Sequence, residues 1–363
     1  MIKKLFSLLA IIAITMVLLE LVLRLFDEMP VHKNPLSGFH MSEPTVGWIG
    51  RPNYRGRFKA RDFDVVVEND ALGFRRSTMN DSQFSEDARR IVFLGDSMTW
   101  GWGVENDETL PEQLQKLLGT GTIVNNFGIN AFGTAQQLLL YDKYVSHLKP
   151  DVLVLMFVDN DLRDNLDDKE GRRPWFEFVD GELIPRNQPI ANGSVGIVKS
   201  FAQKSVAIST LRYSYHVALD GLNDPKDKAR NNVVDKPLPA REIPEEQWEL
   251  FAALLGELQD RCGVENTKCE LKVVYTAGRE DVRNYATNTH FALTDRLRAV
   301  CDAAGISYLD LRPGIYDAWQ KTEPKSPDVT PIYFKHDGHM DAEGLQVTAQ
   351  ILFDSWALSG DLN

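Results

Sequence analysis

The sequence predicts an α/β fold: a three-layer α/β/α sandwich around a parallel sheet of about five strands, preceded by an N-terminal transmembrane helix. Three observations predict it. Short Val/Ile/Leu-rich runs alternate with stretches of helical period from residue 91 onward. One of those runs, Ile91 to Leu94, breaks sharply into Gly95-Asp96-Ser97. An apolar run opens the chain.

Residues 5–19 carry no charge, and the apolar run continues to Phe26 past Glu20 and Arg24, which are spaced to pair on one helix face. A bilayer needs about 20 such residues. Lys3 and Lys4 hold the N-terminus in the cytoplasm. No small-x-small cleavage site follows residue 19, which favours an uncleaved signal anchor over residues 1–27. The rest of the chain is then extracytoplasmic, periplasmic or extracellular; a cleaved signal and a secreted protein is the alternative. Residues 28–88 are polar and turn-rich, without a self-sufficient core pattern, and read as a lead-in packed on the main domain of residues 89–363.

Strands are expected at 91–95, 122–127, 151–158, 270–276 and 306–311, and helices at 109–119, 133–147, 245–262, 286–304 and 342–357. Their alternation implies βαβ units, right-handed crossovers and a parallel sheet covered on both faces. The stretch 164–244 breaks the rhythm. It holds a hairpin pattern on Asp180-Gly181, a helical part at about 194–220, and a charged, proline-containing part at 222–244. It reads as an insertion, with the role of a lid or substrate wall, because it follows a strand end rich in polar groups.

Composition narrows the function. Of 363 residues, 43% are hydrophobic and 25% charged, as in a globular protein with a substantial core. The net charge of −12, from 40 basic and 52 acidic residues, argues against non-specific nucleic-acid binding. Cys262 and Cys269 flank a short loop and are either a disulfide or two thiols; Cys301 lies in an apolar helical stretch and belongs to the core. No Cys/His spacing suits zinc, and no cofactor or metal is implied.

Four loops carry candidate chemistry. A buried strand that turns sharply into a serine is one way an α/β protein exposes a nucleophile, here Ser97. Gly128 follows the second strand, where a glycine lets backbone approach a ligand. Asp159-Asn160-Asp161 ends an apolar run and sets an amide, Asn160, at the edge of the sheet. Asp337-Gly338-His339 supplies an acid and a base near the C-terminus. Together these provide a nucleophile, a base, an orienting acid and oxyanion donors, the parts acyl transfer requires.

In these four blocks, Ser97, Gly128, Asn160 and His339 in that order, the chain resembles the SGNH hydrolase family, also called GDSL-type esterases. Gly47-Trp48 and Gly73-Phe74-Arg75 are similar to lead-in segments of its membrane-anchored bacterial members. The resemblance implies a flavodoxin-like sheet and a serine esterase that works through an acyl-enzyme. Ser97 would be the nucleophile, His339 the base and Asp337 the orienter. The backbone N–H groups of Ser97 and Gly128 and the side chain of Asn160 would form the oxyanion hole. The chain departs from the family pattern twice: Val158 stands at the glycine of G-x-N-D, and His336 at the aspartate of D-x-x-H. The acid is therefore assigned to Asp337, two residues before the histidine. Trp100, Trp102 and Asp161 are candidate pocket residues. The expected substrate is an O-acyl ester, an acetyl ester of a carbohydrate polymer above all. A polysaccharide O-acetyltransferase would use the same residues, and an inert carbohydrate-binding scaffold would keep only the fold.

Overall fold

The computed structural model describes residues 2–26, 28–33, 38–79, 81–85, 87–166, 171–190, 202–222, 243–276, 278–283, 285, 291–322 and 332–359. The expected charged part of the insertion therefore lies outside the described residues over 223–242, as do residues 194–201 of its expected helical part.

Helix α1 (Ile2–Leu25) is long and apolar enough to cross a membrane, and most of its apolar side chains are exposed. The lead-in forms short strands: β1 (Val31–His32), β2 (His40–Glu43), β3 (Gly47–Gly50), β4 (Arg55–Lys59) and β5 (Asp64–Glu68). β1, β4 and β5 make one small sheet, and β2 and β3 a hairpin. Their sequences are too short and too polar for a core of their own. Phe39, Phe58 and Phe74 instead sink into the main core, with Phe74 only 4.3 Å from the ring of Phe127.

The main domain follows the expected alternation. It runs β6 (Arg89–Gly95), α2 (Ser97–Trp100), α3 (Leu110–Leu118), β7 (Thr122–Gly128), α4 (Thr134–Leu140), β8 (Val152–Phe157) and α5 (Asn160–Asp164). The hairpin β9 (Trp175–Val179) and β10 (Glu182–Arg186) comes next, on the Asp180-Gly181 turn, and then α6 (Val206–Leu222). The chain continues with α7 (Glu245–Glu265), β11 (Glu270–Tyr275), α8 (Arg279–Arg283), α9 (Phe291–Ala304), β12 (Ser307–Asp310), α10 (Arg312–Lys321) and α11 (Ala342–Ser359). Five strands form one all-parallel sheet in the order β12-β11-β8-β6-β7. β8, in the middle, is buried at every residue, which is why it reads as an unbroken apolar run. α3, α10 and α11 cover one face, and α4, α7 and α9 the other. Trp356 of α11 lies on Phe93, and Phe251 of α7 on Phe157.

The expected helix over 133–147 is α-helical only to Leu140 and then loosens into a π turn at Tyr141–Val145. α10 was not anticipated, although Pro313 in its first turn is a helix-start signal. Cys262 and Cys269 are joined as a disulfide, with Cα atoms 5.6 Å apart, and Cys301 is buried. The described helix of the insertion, α6, packs on α1 and β1: Glu20 accepts hydrogen bonds from Ser205, Val206 and Ala207, and Ser209 Oγ accepts from Val31 N.

Candidate active site

Ser97 opens α2 at the carboxyl edge of β6. Asp96 caps that short helix, its Oδ1 accepting from Met98 N at 2.9 Å, and Gly101 closes it with φ 87°. The turn is this tight because Gly95 has no side chain: a Cβ there would lie 2.2 Å from Thr99 Oγ1. Ser97 Oγ is 2.7 Å from His339 Nε2, and His339 Nδ1 is 2.5 Å from Asp337 Oδ1. Asp337 Oδ1 also accepts from the His339 backbone N–H at 2.9 Å, and Oδ2 from Trp102 Nε1 at 3.0 Å. Burial raises the Asp337 carboxyl, but the hydrogen bonds and charge of His339 and the Trp102 donor outweigh it and hold the group below its ordinary value. Trp102 stacks on His339, with ring centroids 4.8 Å apart and planes 13° from parallel. It is therefore a wall of the imidazole slot and a second donor to the acid.

His336, the other histidine of this loop, faces elsewhere. Its Nδ1 is 2.5 Å from Asp62 Oδ1, and its N–H donates to Asp62 Oδ2 at 2.7 Å. Arg279, at the start of α8, donates to the carbonyls of Phe334 and Lys335 at 2.8 Å and of Asp337 at 3.2 Å. The loop that carries the acid and base is thus clamped from two sides. Sequence reasoning missed both clamps. A lone aspartate in a polar loop and a lone arginine 56 residues upstream of Lys335 carry no local signal.

Three expected positions need correction. Gly128 does not offer a free N–H: it donates to Asn126 Oδ1 at 2.9 Å. Its lack of a side chain serves packing, since a Cβ would lie 2.4 Å from Trp100 N. Trp100 is 1% exposed and fills the core among Phe39, His40 and Phe58, with the Arg75 guanidinium over its ring, so it lines no pocket. Asp161 is fully buried; its Oδ2 accepts from Val158 N, and burial, with the nearby Asp96 carboxylate, raises its pKa well above the usual range. Asn160 sits at the edge of β8, and its Nδ2 donates to Asp164 Oδ2 at 2.9 Å and lies 3.5 Å from Asp96 Oδ2, beside the nucleophile turn.

The turn after β7 lies against the nucleophile turn. Ile129 N donates to Gly95 O at 3.0 Å, which ties this turn to the start of the Asp96-Ser97 turn. Trp48 Nε1 holds it from the other side through Asn130 O. Within it Ala131 adopts φ 61°, a left-handed conformation that costs a residue with a Cβ about 1–2 kcal/mol. Its N–H donates no hydrogen bond among the described residues. Strain of this kind, next to a reactive group, points to a functional backbone position. Ala131→Gly is expected to preserve activity and leave stability unchanged or higher, whereas Gly128→Ala should cost at least about 1–3 kcal/mol through overpacking against α2. Urea melts of the two variants check this pair.

A parallel α/β sheet with a hydroxyl, an imidazole and a carboxylate in hydrogen-bonded series at its carboxyl edge is the framework of a hydrolase that acts on ester bonds. The sequence profile of the GDSL-like Lipase/Acylhydrolase family matches residues 93–347, and the chain belongs to that family. Among solved structures, the chain is similar to the acetyl xylan esterase AlAXEase, at 13% identity over 73% of this chain and 98% of that one, with a TM-score of 0.40. It is similar to a lipase/acylhydrolase from Enterococcus faecalis, at 15% identity over 74% and 95% and a TM-score of 0.39. It is also similar to a two-domain esterase, CEX, active on acetylated mannans, at 11% identity over 75% and 49% and a TM-score of 0.39. No curated protein matches by sequence.

Proposed function

We propose that the protein is a membrane-anchored serine esterase that hydrolyses O-acyl esters, acetyl esters of a carbohydrate polymer foremost, outside the cytoplasm. The observation that carries the reading is the series Ser97 Oγ–His339 Nε2 at 2.7 Å and His339 Nδ1–Asp337 Oδ1 at 2.5 Å. His339 takes the Ser97 proton as the oxygen attacks the ester carbonyl, then returns it to the leaving alcohol. Asp337 fixes the tautomer with the proton on Nδ1 and stabilises the imidazolium that forms. The N–H groups of Ser97 and Ala131, and the Asn160 amide once it turns from Asp164, hold the oxyanion. One such donor is worth about 10²–10³ in rate. Water then releases the acyl group from Ser97.

Two further observations support the placement. α1 is long and apolar enough to cross a bilayer and its apolar side chains are exposed, as an anchor requires. The Cys262–Cys269 disulfide belongs to an oxidising compartment. The test is covalent: full-length protein in neutral detergent is treated with a fluorophosphonate, and the peptides are read by mass spectrometry. Stoichiometric label on Ser97, slowed by excess acetyl ester present during labelling, is expected. Label elsewhere, with Ser97 untouched, refutes the assignment. Transfer of acetyl to an added oligosaccharide in preference to water would instead identify an acetyltransferase.

A further inference from the structure

Beside the last turn of α1 lies a cavity of about 350 Å³ that the catalytic reading does not use. Its lining includes Arg24, Arg51, Arg55 and Lys204, together with Asn53 and Tyr54, and no carboxylate among the described residues. The cations come from four separate places in the chain. Arg24 ends α1 and donates to Glu20 Oε1 at 2.8 Å and to Lys204 O at 2.9 Å. Arg51 is 8% exposed and is held by Gly38 O and Gln203 Oε1, both neutral acceptors. Arg55 lies on β4 and pairs with Glu68. Lys204 precedes α6. Two carboxylates, Glu20 and Glu68, answer the arginines of α1 and β4. Four basic residues thus converge on one half-open cavity, in a protein whose net charge is −12.

We propose that this cavity binds the phosphodiester headgroup of an anionic lipid. The proposal rests on α1 being a membrane anchor. Arg24 then sits at the level of the lipid headgroups, where phosphate is the abundant anion and arginine matches it with paired N–H donors. Simple snorkelling accounts for Arg24 but not for a nearly buried Arg51 or for a lysine brought from 180 residues away. α6 leaves the same point with Leu211, Tyr215 and Val217 exposed, so a second apolar element flanks the basic collar. A lipid therefore seats its phosphate in the cavity and its chains along α1 and α6, and the catalytic domain is held at a fixed orientation to the membrane.

The test uses the full chain in neutral detergent, titrated with short-chain phosphatidylglycerol, with phosphatidylcholine of equal chain length, and with inorganic phosphate, and read by thermal melting. Phosphatidylglycerol should raise the melting temperature saturably, phosphatidylcholine should do so less, and inorganic phosphate at equal concentration should do little. Lys204→Gln and Arg55→Gln should each weaken phosphatidylglycerol binding about fivefold, the worth of one surface cation toward an anionic lipid, with hydrolysis of a soluble acetyl ester unchanged. Arg51→Gln should weaken it further; should that variant fail to fold, the other two still decide. Equal binding by all variants, no shift with phosphatidylglycerol, or inorganic phosphate matching the lipid would each overturn the proposal. Alkaline carbonate extraction of cell membranes tests the anchor separately: a chain that washes off refutes the anchor, whatever the titration gives.

Discussion

Asp337→Asn is expected to lower kcat/KM for an acetyl ester by about 10⁴, with the fold unchanged. The size follows from what the carboxylate holds. One oxygen accepts from His339 Nδ1 and the His339 backbone N–H, and the other from Trp102 Nε1. An amide in its place turns a donor toward one of these three and favours the tautomer with the proton on Nε2, which cannot accept from Ser97. A loss of about 10⁴ corresponds to about 5.5 kcal/mol of transition-state stabilisation. Ser97→Ala should cost as much, and the two together little more than either, because the members act as a unit. His336→Ala is the control. That ring is bound to Asp62 rather than to His339, so its loss should move activity by far less, through the loop it braces. A larger loss for His336→Ala than for Asp337→Asn would mean that the orienting acid reaches His339 through another loop conformation.

The ease of reading these parts from sequence differed for physical reasons. β6 and Ser97 were legible because a strand buried on both faces is an unbroken apolar run, and Gly-Asp-Ser ends it abruptly. β12 and α11 were legible by the same rules of period and length. The lead-in strands were not. β4 is Arg55-Gly56-Arg57-Phe58-Lys59, in which one large apolar side chain reaches the core and the rest serve cross-strand pairs and solvent. Nor was Ala131. Glycine advertises freedom of φ, so attention falls on Gly128, whereas an alanine forced to φ 61° leaves no trace in the sequence. Gly128 was informative for a different reason than expected: it marks where the backbone of α2 crosses β7. Asp62 and Arg279 were invisible because their partners are 274 and 55 residues away.

Mild acid should loosen the protein at the lead-in, and the cause is His32. This ring is 6% exposed, edge-on to Phe39 at 5.2 Å, with Nε2 2.7 Å from the Tyr54 hydroxyl. Tyr54 donates to Gln203 O, which leaves its hydroxyl to accept from His32 Nε2–H. Burial, reinforced by the positive charges of Arg212 and Arg51, pushes the imidazole pKa down to about 4 from 6.5. The unfolded chain takes up this proton near its ordinary value and the folded chain does not. Between those two values the unfolded state binds more protons, so stability rises with pH there. The contribution is complete above about pH 6.5 and is lost progressively as the pH falls to about 4, for a total of about 3 kcal/mol. Asp64, held below its ordinary value by Arg57 and Lys59 against the burial that raises it, loses its contribution only at lower pH. Asp96 and Asp161, raised by burial, act in the opposite sense as acid is added, but equally in a variant that lacks only the imidazole. His32→Gln keeps an N–H donor for Tyr54 and removes the titration. The difference in urea stability between wild type and variant should therefore narrow or invert by about 2.5 kcal/mol between pH 7 and pH 4.5. Parallel pH profiles for the two proteins would show that His32 is free to protonate in the folded state, and that the junction of β1 with α6 is open to water.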